Sequence, residues 1–325
     1  MSIYSLGSSG EPVAEIQNAL KALGLYRGEV DAQFGGGTHS AVVQFQKQRD
    51  LVPDGRVGAQ TWSALIGNGN VPVPPVAGES LSYRCLALTG AFETGVGFPD
   101  CFCGISGDFD GQGISFGVMQ WNFGQGSLQP LLRDMISRHG DIVQNIFGEH
   151  FDALNIALTH GDEDRAGLMS FVRGIQHPQK HRVFEPWLGY AKALGRTAEF
   201  QRIQVEHAQA AFQRALKMCD DFDLWSERAA ALMFDIVTQN GSINAMTRAQ
   251  IVGETGLLAK TLNDDDREVA KMRIIANRRA EASSAAWIDD VRRRKLCIAN
   301  GAGSVHGIHY DIGAQFSLNL VPRNP

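Results

Sequence analysis

A proline-rich segment at residues 68–80 constrains the fold of this chain more than any other feature. It contains three prolines between positions 72 and 75, and each fixes the backbone φ angle and lacks an N–H donor. Proline also favours extended conformations in the residue before it. We therefore expect a semi-rigid linker at 68–80, a small domain at 1–67 and a larger domain at 81–325.

Composition excludes several classes of function. The 30 basic and 35 acidic residues give a formal net charge of −5, which argues against a chain that coats nucleic acid. The odd number of cysteines, five, favours synthesis in a reducing compartment. The sequence contains no apolar run of about 18 residues, so no integral membrane segment is expected. The first residues show neither the basic nor the apolar region of a signal peptide, so we expect synthesis in the cytoplasm. We also expect a monomer.

The apolar pattern predicts a mainly α, or α+β, fold. In the small domain, apolar stripes near 13–23, 42–46 and 61–65 predict three helices, the first ending at Gly24. In the larger domain, helical spacing is found at 128–137, 142–147, 199–219 and 224–239, with an Ala- and Arg-rich helix expected at 264–294. Glycine-rich alternation at 104–123 predicts a small β-hairpin. We find no internal repeat.

The small domain resembles a known wall-binding module. The segments Gly10-Glu-Pro-Val-Ala-Glu-Ile-Gln, Leu23-Gly-Leu-Tyr-Arg-Gly and Asp54-Gly-Arg-Val-Gly-Ala-Gln-Thr-Trp are similar to the peptidoglycan-binding domain of bacterial wall hydrolases and phage lysins. The resemblance covers residues 8–66 and implies peptidoglycan glycan strands as the partner.

Individual side chains of this module have different expected roles. The resemblance makes Tyr26 and Gln46 candidate wall contacts. Phe34, Phe45 and Trp62 are expected in the core. The sequence departs from the family at Asp31-Ala32, where an Asp-Gly pair is usual.

A pair of carboxylates in the larger domain fits the chemistry of glycosidic bond cleavage. That reaction needs a protonated carboxyl group to donate to the leaving oxygen and a second, ionised carboxylate. Glu93 follows an apolar helical stretch and precedes a Thr-Gly helix stop. Asp108 and Asp110 lie in the glycine-rich hairpin segment that follows, so the hairpin is expected to face Glu93 across a cleft.

The same residues carry a second resemblance. Phe92-Glu-Thr-Gly and Asp110-Gly-Gln-Gly-Ile-Ser-Phe-Gly are similar to the start of the lysozyme-like chitosanases. Gly117-Val-Met-Gln is similar to goose-type lysozymes and lytic transglycosylases, and residues 234–241 look like the helix that backs the active site in these families.

The resemblance implies a lysozyme-like fold and an inverting hydrolase. Glu93 would be the general acid, Asp110 the base, and Ser115 would help hold the attacking water. Asp108 is a competing base. The remaining candidates are Gln120 and Trp121 as the lining of the sugar cleft, and Gln239 as a supporting hydrogen-bonding residue.

We therefore expect a modular peptidoglycan hydrolase of the muramidase type that cleaves the β-1,4 glycan backbone. The order of its modules resembles a phage endolysin that reaches the wall after the inner membrane is permeabilised. A lytic transglycosylase, a chitosanase and a non-catalytic wall-binding protein remain alternatives.

No metal or cofactor is expected. The spacing of Cys101 and Cys103 does not fit a zinc site, and Cys85 is interpreted as a buried apolar residue rather than a nucleophile. The pair His306 and His309 leaves a zinc amidase open. The basic stretch at 292–295 is expected to be a solvated helix end.

Overall fold

The computed structural model describes residues 4–67, 71–109, 111–160 and 164–323. The architecture is mainly helical with short antiparallel strands, which confirms the predicted fold class. No helix in these ranges is long and apolar enough to cross a bilayer. The α-helices are α1 (Glu11–Ala22), α2 (Gly36–Gln48), α3 (Ala59–Ile66), α4 (Leu81–Thr94), α5 (Leu128–Phe147), α6 (Phe151–His160), α7 (Arg165–Gly174), α8 (Trp187–Gly195), α9 (Ala198–Asp221), α10 (Glu227–Asn240), α11 (Ala245–Thr255), α12 (Asp264–Glu281), α13 (Ile288–Asn300) and α14 (Ile312–Phe316). The strands are β1 (Ile105–Ser106), β2 (Ser115–Phe116), β3 (Trp121–Asn122), β4 (Gln176–His177), β5 (Arg182–Val183), β6 (Ala302–Val305) and β7 (Ile308–Asp311).

The chain forms two compact units. The first contains residues 1–88 and 211–325, and the second contains residues 89–210. The division points therefore lie inside α4 and α9. These bounds differ from the domains expected at 1–67 and 81–325 with a linker at 68–80, and that division of the chain stays a prediction.

Helices α1 to α3 surround a small core within the first unit. The core residues are Tyr4, Val13, Ile16, Leu20, Phe34, Ala41, Val42, Phe45, Val57 and Trp62. The three predicted helices are present, and the three aromatic residues expected in the core lie there. Leu23 is largely exposed, because α1 ends before it and Gly24 turns the chain with a φ angle of 71°.

A buried glutamine in α1 organises the first half of this module. The Gln17 side-chain amide donates to Asp31 Oδ1 at 2.8 Å, to the Gln33 carbonyl at 2.9 Å and to Thr38 Oγ1 at 3.1 Å. Its Oε1 accepts from the Ala32 backbone N–H at 2.9 Å. Hydrogen bonds from Gln17 and the Gln33 backbone lower the pKa of Asp31, so this carboxylate stays ionised as an acceptor.

A second buried glutamine, in α2, repeats this arrangement. The Gln46 amide donates to Asp54 Oδ1 at 2.9 Å, to the Arg56 carbonyl at 2.9 Å and to Thr61 Oγ1 at 3.1 Å. Its Oε1 accepts from the Gly55 backbone N–H at 2.9 Å.

The matching bonds show an internal repeat that the sequence analysis missed. Residues 31–38 and 54–61 share the pattern Asp-x-x-apolar-Gly-x-x-Thr. Each copy places its aspartate and threonine against one buried glutamine. The signal is only eight residues long, which is shorter than the repeats of known repeat architectures.

The proline-rich segment is packed, in contrast to the expected spacer. Residues Pro75–Gly78 form a 3₁₀ turn, and Val76 is buried. The Tyr4 hydroxyl donates to the Pro72 carbonyl at 2.9 Å, which ties the segment to the small core. The prolines therefore shape a compact turn rather than an extended connection.

The small module also contacts the last elements of the first unit. Arg56 forms an ion pair with Asp311 at 2.5 Å, and the Gln315 amide donates to the Leu6 carbonyl at 2.8 Å. These contacts join residues about 250 to 310 positions apart in the sequence.

Three predicted helical segments have different bounds in the structure. The stripes at 128–137 and 142–147 form one helix, α5, with a local break at His139. The helix expected at 264–294 is divided into α12 and α13 by a 3₁₀ turn at Ala285–Trp287.

The pair His306 and His309 lies in the β6–β7 hairpin. Its turn is made by His306 and Gly307, which have φ angles of 50° and 81°. A two-residue turn with both φ angles positive is the common connection of a tight hairpin, and glycine favours it.

The second unit carries the elements on which the candidate site is built. Strands β1, β2 and β3 form an antiparallel sheet in which Ser106 pairs with Ser115, and Ser115 with Asn122. This sheet replaces the predicted simple hairpin at 104–123. It packs on an apolar core supplied mainly by α5 to α9, and a second hairpin, β4–β5, projects from the same unit.

Candidate active site

Glu93 lies at the C-terminal end of α4. Phe92, immediately before it, is fully buried, whereas Glu93 is exposed. A Cβ atom at Gly90 would collide with the Val118 side chain, so glycine allows α4 to pack closely against the turn between β2 and β3. The Thr94 hydroxyl donates to the Gly90 carbonyl at 2.7 Å and completes the last turn.

A cleft of about 460 Å³ opens beside Glu93. Its walls come from the end of α4, the sheet and α8. The described lining residues are Glu93, Thr94, Val96, Asp100, Cys103, Gly104, Ile105, Ser106, Gln120, Leu188, Lys192 and Arg196. Of the predicted site residues, Glu93 and Gln120 are therefore brought to one cleft.

Gln120 is held rigidly in the cleft wall. Its amide donates to the Gly117 carbonyl at 2.9 Å and to the Gly104 carbonyl at 3.1 Å. Its Oε1 accepts from the Ser106 hydroxyl at 2.8 Å. The backbone at Gln120 has a φ angle of 53°, and these bonds compensate for that uncommon conformation.

The loop that carries the candidate bases is fastened to the β4–β5 hairpin. The Asp108 backbone N–H donates to Gln176 Oε1 at 2.8 Å, and Gln176 is 4% exposed. The close approach of Gly107 to the His181 carbonyl leaves no room for a Cβ atom. Phe109 packs against the His181 ring, with centroids 4.8 Å apart, and is 71% exposed.

The two candidate aspartates differ in what the structure describes. Asp108 Oδ1 is buried and has no hydrogen-bond partner among the described residues. Asp110 lies outside the described residues. Its role as the base, and its separation from Glu93, stay predictions.

Ser115 and Trp121 belong to the sheet. Ser115 is half-buried in β2, and Trp121, in β3, packs against the apolar core of the second unit. Neither is among the described residues that line the Glu93 cleft. The proposed roles of Ser115 in holding water and of Trp121 in lining the sugar site remain predictions.

Gln239 belongs to a buried ionic cluster in the first unit. It accepts from Lys295 Nζ at 2.6 Å. Lys295 and Arg294 both pair with Asp235, and all three charged side chains are almost fully buried. The Arg294 and Lys295 part of the basic stretch is thus inside the unit, in contrast to the solvated helix end that was expected.

The pKa values of this cluster follow from burial and charge together. Burial acts to raise the pKa of Asp235, but the charges of Arg294 and Lys295 outweigh it and hold the pKa below its usual value. Burial lowers the pKa of Lys295 to about 8, against the attraction of Asp235. Gln239 therefore supports a charge cluster, which is a structural role.

The two candidate wall contacts have different positions. Gln46 is 1% exposed and uses its amide inside the module. Its side chain is therefore not at the surface where a wall contact was expected. The hydroxyl of Tyr26 donates to the Glu29 carbonyl at 2.8 Å. The residue is only half-buried, so part of its surface remains accessible.

The cysteine and histidine side chains bear on thiol and zinc chemistry. All five thiols are buried and unbonded. Burial raises the pKa of Cys103, which lines the cleft, to about 12, so it is protonated at neutral pH and a poor nucleophile. His306 contacts Asp290 at 2.8 Å. No group of three or more potential metal ligands occurs within the described ranges.

Sequence reasoning missed the α8 wall of the cleft. Lys192 and Arg196 on this wall were not candidates, because the helix is only nine residues long. Its signal was weak: Leu188, Ala191 and Leu194 have helical spacing directly after a proline. Gln176, which holds the acidic loop, was missed for the same reason, since its two-residue strand leaves no pattern.

Comparison with known families identifies the N-terminal module. Residues 9–65 match the family model described as "Putative peptidoglycan binding domain". This confirms the resemblance drawn from residues 8–66.

Curated relatives match over the same region. A spore cortex-lytic enzyme of Bacillus cereus is 47% identical over 64 residues, which are 20% of this chain and 25% of that protein. A spore cortex-lytic enzyme of Bacillus subtilis is 44% identical over 65 residues, 20% of this chain and 21% of that protein. An N-acetylmuramoyl-L-alanine amidase of Mycobacterium tuberculosis is 41% identical over 56 residues, which are 17% of this chain and 14% of that protein. The chain thus spans about a quarter or less of the length of these relatives.

Solved structures of chitosanases are similar at a lower level. A Gynuella sunshinyii chitosanase in complex with chitotetraose has a TM-score of 0.42 and 11% identity, covering 71% of this chain and 96% of that chain. A native chitosanase from a Bacillus subtilis strain has a TM-score of 0.40 and 16% identity, and the match covers 69% of this chain and 87% of that chain.

Proposed function

We propose that this chain is a modular hydrolase of the bacterial cell wall that binds peptidoglycan and cleaves its β-1,4 glycan backbone. The observation that carries the proposal is the exposed Glu93 at the end of α4, facing an open cleft of about 460 Å³. The match of residues 9–65 to a peptidoglycan-binding family supports the substrate. The muramidase type of cleavage and the endolysin role are finer parts of the same proposal.

In this mechanism Glu93 protonates the glycosidic oxygen of the leaving sugar. The loop after β1 supplies the second carboxylate, which activates a water molecule on the opposite face of the sugar. Asp110 is the proposed base and Asp108 its alternative, with Ser115 holding the water. Such an inverting reaction requires the two carboxyl groups to be roughly 6.5–9.5 Å apart.

The N-terminal module increases the rate by attachment rather than by chemistry. A binding module that stays on the polymer raises the local concentration of glycan at the cleft. Its affinity therefore need not be high. The module is proposed to act on intact wall and to be dispensable for small soluble fragments.

The reaction class is tested by the mass of the products. Hydrolysis adds one water across each cleaved bond, whereas a lytic transglycosylase forms an anhydro-sugar that is lighter by one water. Products of the lighter mass from defined muropeptides contradict hydrolysis. Cleavage of chitosan in preference to purified wall favours the chitosanase alternative.

The role of Glu93 is tested by Glu93→Gln, with Glu149→Gln as the matched control. Glu149 is an exposed residue in a 3₁₀ turn outside the cleft lining. Loss of a general acid typically costs a factor of about 100 to 10,000, so clearing of purified wall by Glu93→Gln should be almost abolished. Equal clearing by Glu93→Gln and the parent contradicts the glycosidase proposal and leaves a non-catalytic wall-binding protein.

A further inference from the structure

The α8 wall gives the cleft two cationic side chains. Lys192 lies in the last turns of α8, and Arg196, four residues later, is the C-cap residue directly after this helix with a helical backbone conformation, so the two side chains project from the same face. Both line the cleft that contains Glu93. Both also act on the nearby Cys103, where their positive charges oppose the rise in its pKa.

The charges in the cleft do not all remain available to a substrate. Arg196 binds the Asp100 carboxylate with two hydrogen bonds, of 2.8 and 3.2 Å. In this bidentate pair the charges of Arg196 and Asp100 largely compensate each other. Lys192 is exposed, and its ammonium group has no hydrogen bond or ion pair to any residue within the described ranges.

The described lining therefore has no excess of negative charge. Glu93 and Asp100 are its acidic residues, and Lys192 and Arg196 balance them. A glycan that carries protonated amines needs carboxylates to compensate its charge. In this cleft it instead meets the ammonium group of Lys192, whose like charge repels it.

We infer that Lys192 selects the substrate by charge: its ammonium group binds a carboxylate carried by the glycan strand and repels a polyamine strand. This inference rests on the proposed function and names the substrate class for the same cleft. N-acetylated strands with carboxylate-bearing peptides have the required charge, and glucosamine polymers have the opposite charge. A lysine ammonium is a compact point charge on a flexible stem, so it can follow a carboxylate whose position varies along the strand.

Lys192→Met and Lys192→Glu test this role, with Lys217→Met as the control. Lys217 lies on α9, outside the cleft lining, and is 78% exposed. The kcat and KM values are measured on soluble peptide-bearing glycan fragments and on chitosan at low salt. For Lys192→Met we expect kcat/KM on the peptide-bearing fragments to fall roughly threefold to fivefold, the effect of one exposed ion pair, mainly through KM.

Lys192→Glu should reduce that activity further and raise the affinity for chitosan relative to the parent. Lys217→Met should match the parent on both substrates. The differences should shrink in about 1 M salt, where the Debye length falls to about 3 Å. Thermal unfolding of each variant checks that the fold is retained.

The outcomes separate this inference from the proposed function. If the parent cleaves glycan and both Lys192 variants keep its ratio of activities at low salt, the role of Lys192 is overturned and the hydrolase proposal stands. If the parent cleaves no glycan, the hydrolase proposal fails. Calorimetric binding of the same fragments then decides the role of Lys192, since unchanged affinity in both variants overturns it.

Discussion

At the scale of single residues, the clearest conflict between sequence and backbone is at Ala32. It occupies the position where the second half of the module has Gly55, and both have positive φ angles, 57° and 71°. The left-handed region disfavours any residue with a Cβ atom, by roughly 1–2 kcal/mol. Ala32 is kept there because its N–H is bound by the buried Gln17.

We expect Ala32→Gly to stabilise the small module by about 1 kcal/mol or less, since glycine relieves the strain but gains entropy in the unfolded chain. The matched control is Gly55→Ala, which introduces the same strain and a collision with the His39 ring. It should be destabilising. Urea unfolding measures both, and a loss of stability in Ala32→Gly contradicts the interpretation.

The buried Asp235 gives a second prediction at this scale. Asp235→Asn leaves Arg294 and Lys295 buried without their counter-charge, which typically costs about 3–5 kcal/mol. Asp223→Asn, which removes a surface partner of Lys271, should cost less than about 1 kcal/mol. Denaturant unfolding at pH 7 measures the two free energies.

The loss in Asp235→Asn should be smaller at pH 9.5 than at pH 7. The folded-state pKa of Lys295, about 8, is below its ordinary value of 10.5. The folded state therefore holds fewer protons than the unfolded chain between these values, and stability contributed by this group rises with pH. Without Asp235 the folded-state pKa of Lys295 falls further, so the stability of the variant increases more between pH 7 and pH 9.5 than that of the parent. An equal deficit at both pH values contradicts this.

At the scale of elements, patterns of sufficient length were predictable and short elements were not. Helices α9 and α10 follow their apolar stripes closely, at Ala198–Asp221 and Glu227–Asn240. Strands of two residues, such as β4 and β5, have no periodicity to detect. Because α8 and the β4–β5 hairpin were missed, the sequence indicated Glu93 but not the cationic wall or the support of the acidic loop.

The β4–β5 hairpin should control the position of that loop. Gln176→Ala removes the acceptor for the Asp108 backbone N–H, so the loop is expected to lose its fixed position. We expect kcat to fall by about tenfold or more, because misplacement by about 1 Å costs up to a hundredfold. The unfolding temperature should change little.

Gln179→Ala on the same hairpin is the control for this effect. Gln179 is exposed, and its removal should leave kcat unchanged. Equal kcat values in the two variants, with Gln176→Ala folded, contradict a positioning role for Gln176.

At the scale of the whole molecule, binding and cleavage should be separable. Glu93→Gln is expected to sediment with purified wall as the parent does, although it does not clear it. Gln46→Ala removes the bonds that hold residues 54–61, so its wall sedimentation should fall. Cleavage of small soluble fragments by Gln46→Ala should stay close to that of the parent.

This prediction fails if Gln46→Ala loses soluble-fragment cleavage and wall binding together.

The sequence predicted the small peptidoglycan-binding module but not its packing against later elements of the first unit. The three prolines predicted a semi-rigid linker. In the structure, however, Val76 is buried and the Tyr4 hydroxyl donates to the Pro72 carbonyl. Local φ restriction is visible in a sequence, whereas the surface against which a turn packs is not.

The bond between Gln315 and the Leu6 carbonyl, together with the pair of Arg56 and Asp311, has a consequence for synthesis. During translation the small module is synthesised some 250 residues before its partners in β7 and α14. Contacts so distant in sequence form late and slowly. This face of the small module therefore stays without its partner until β7 and α14 have been synthesised, and the two contacts form late in folding.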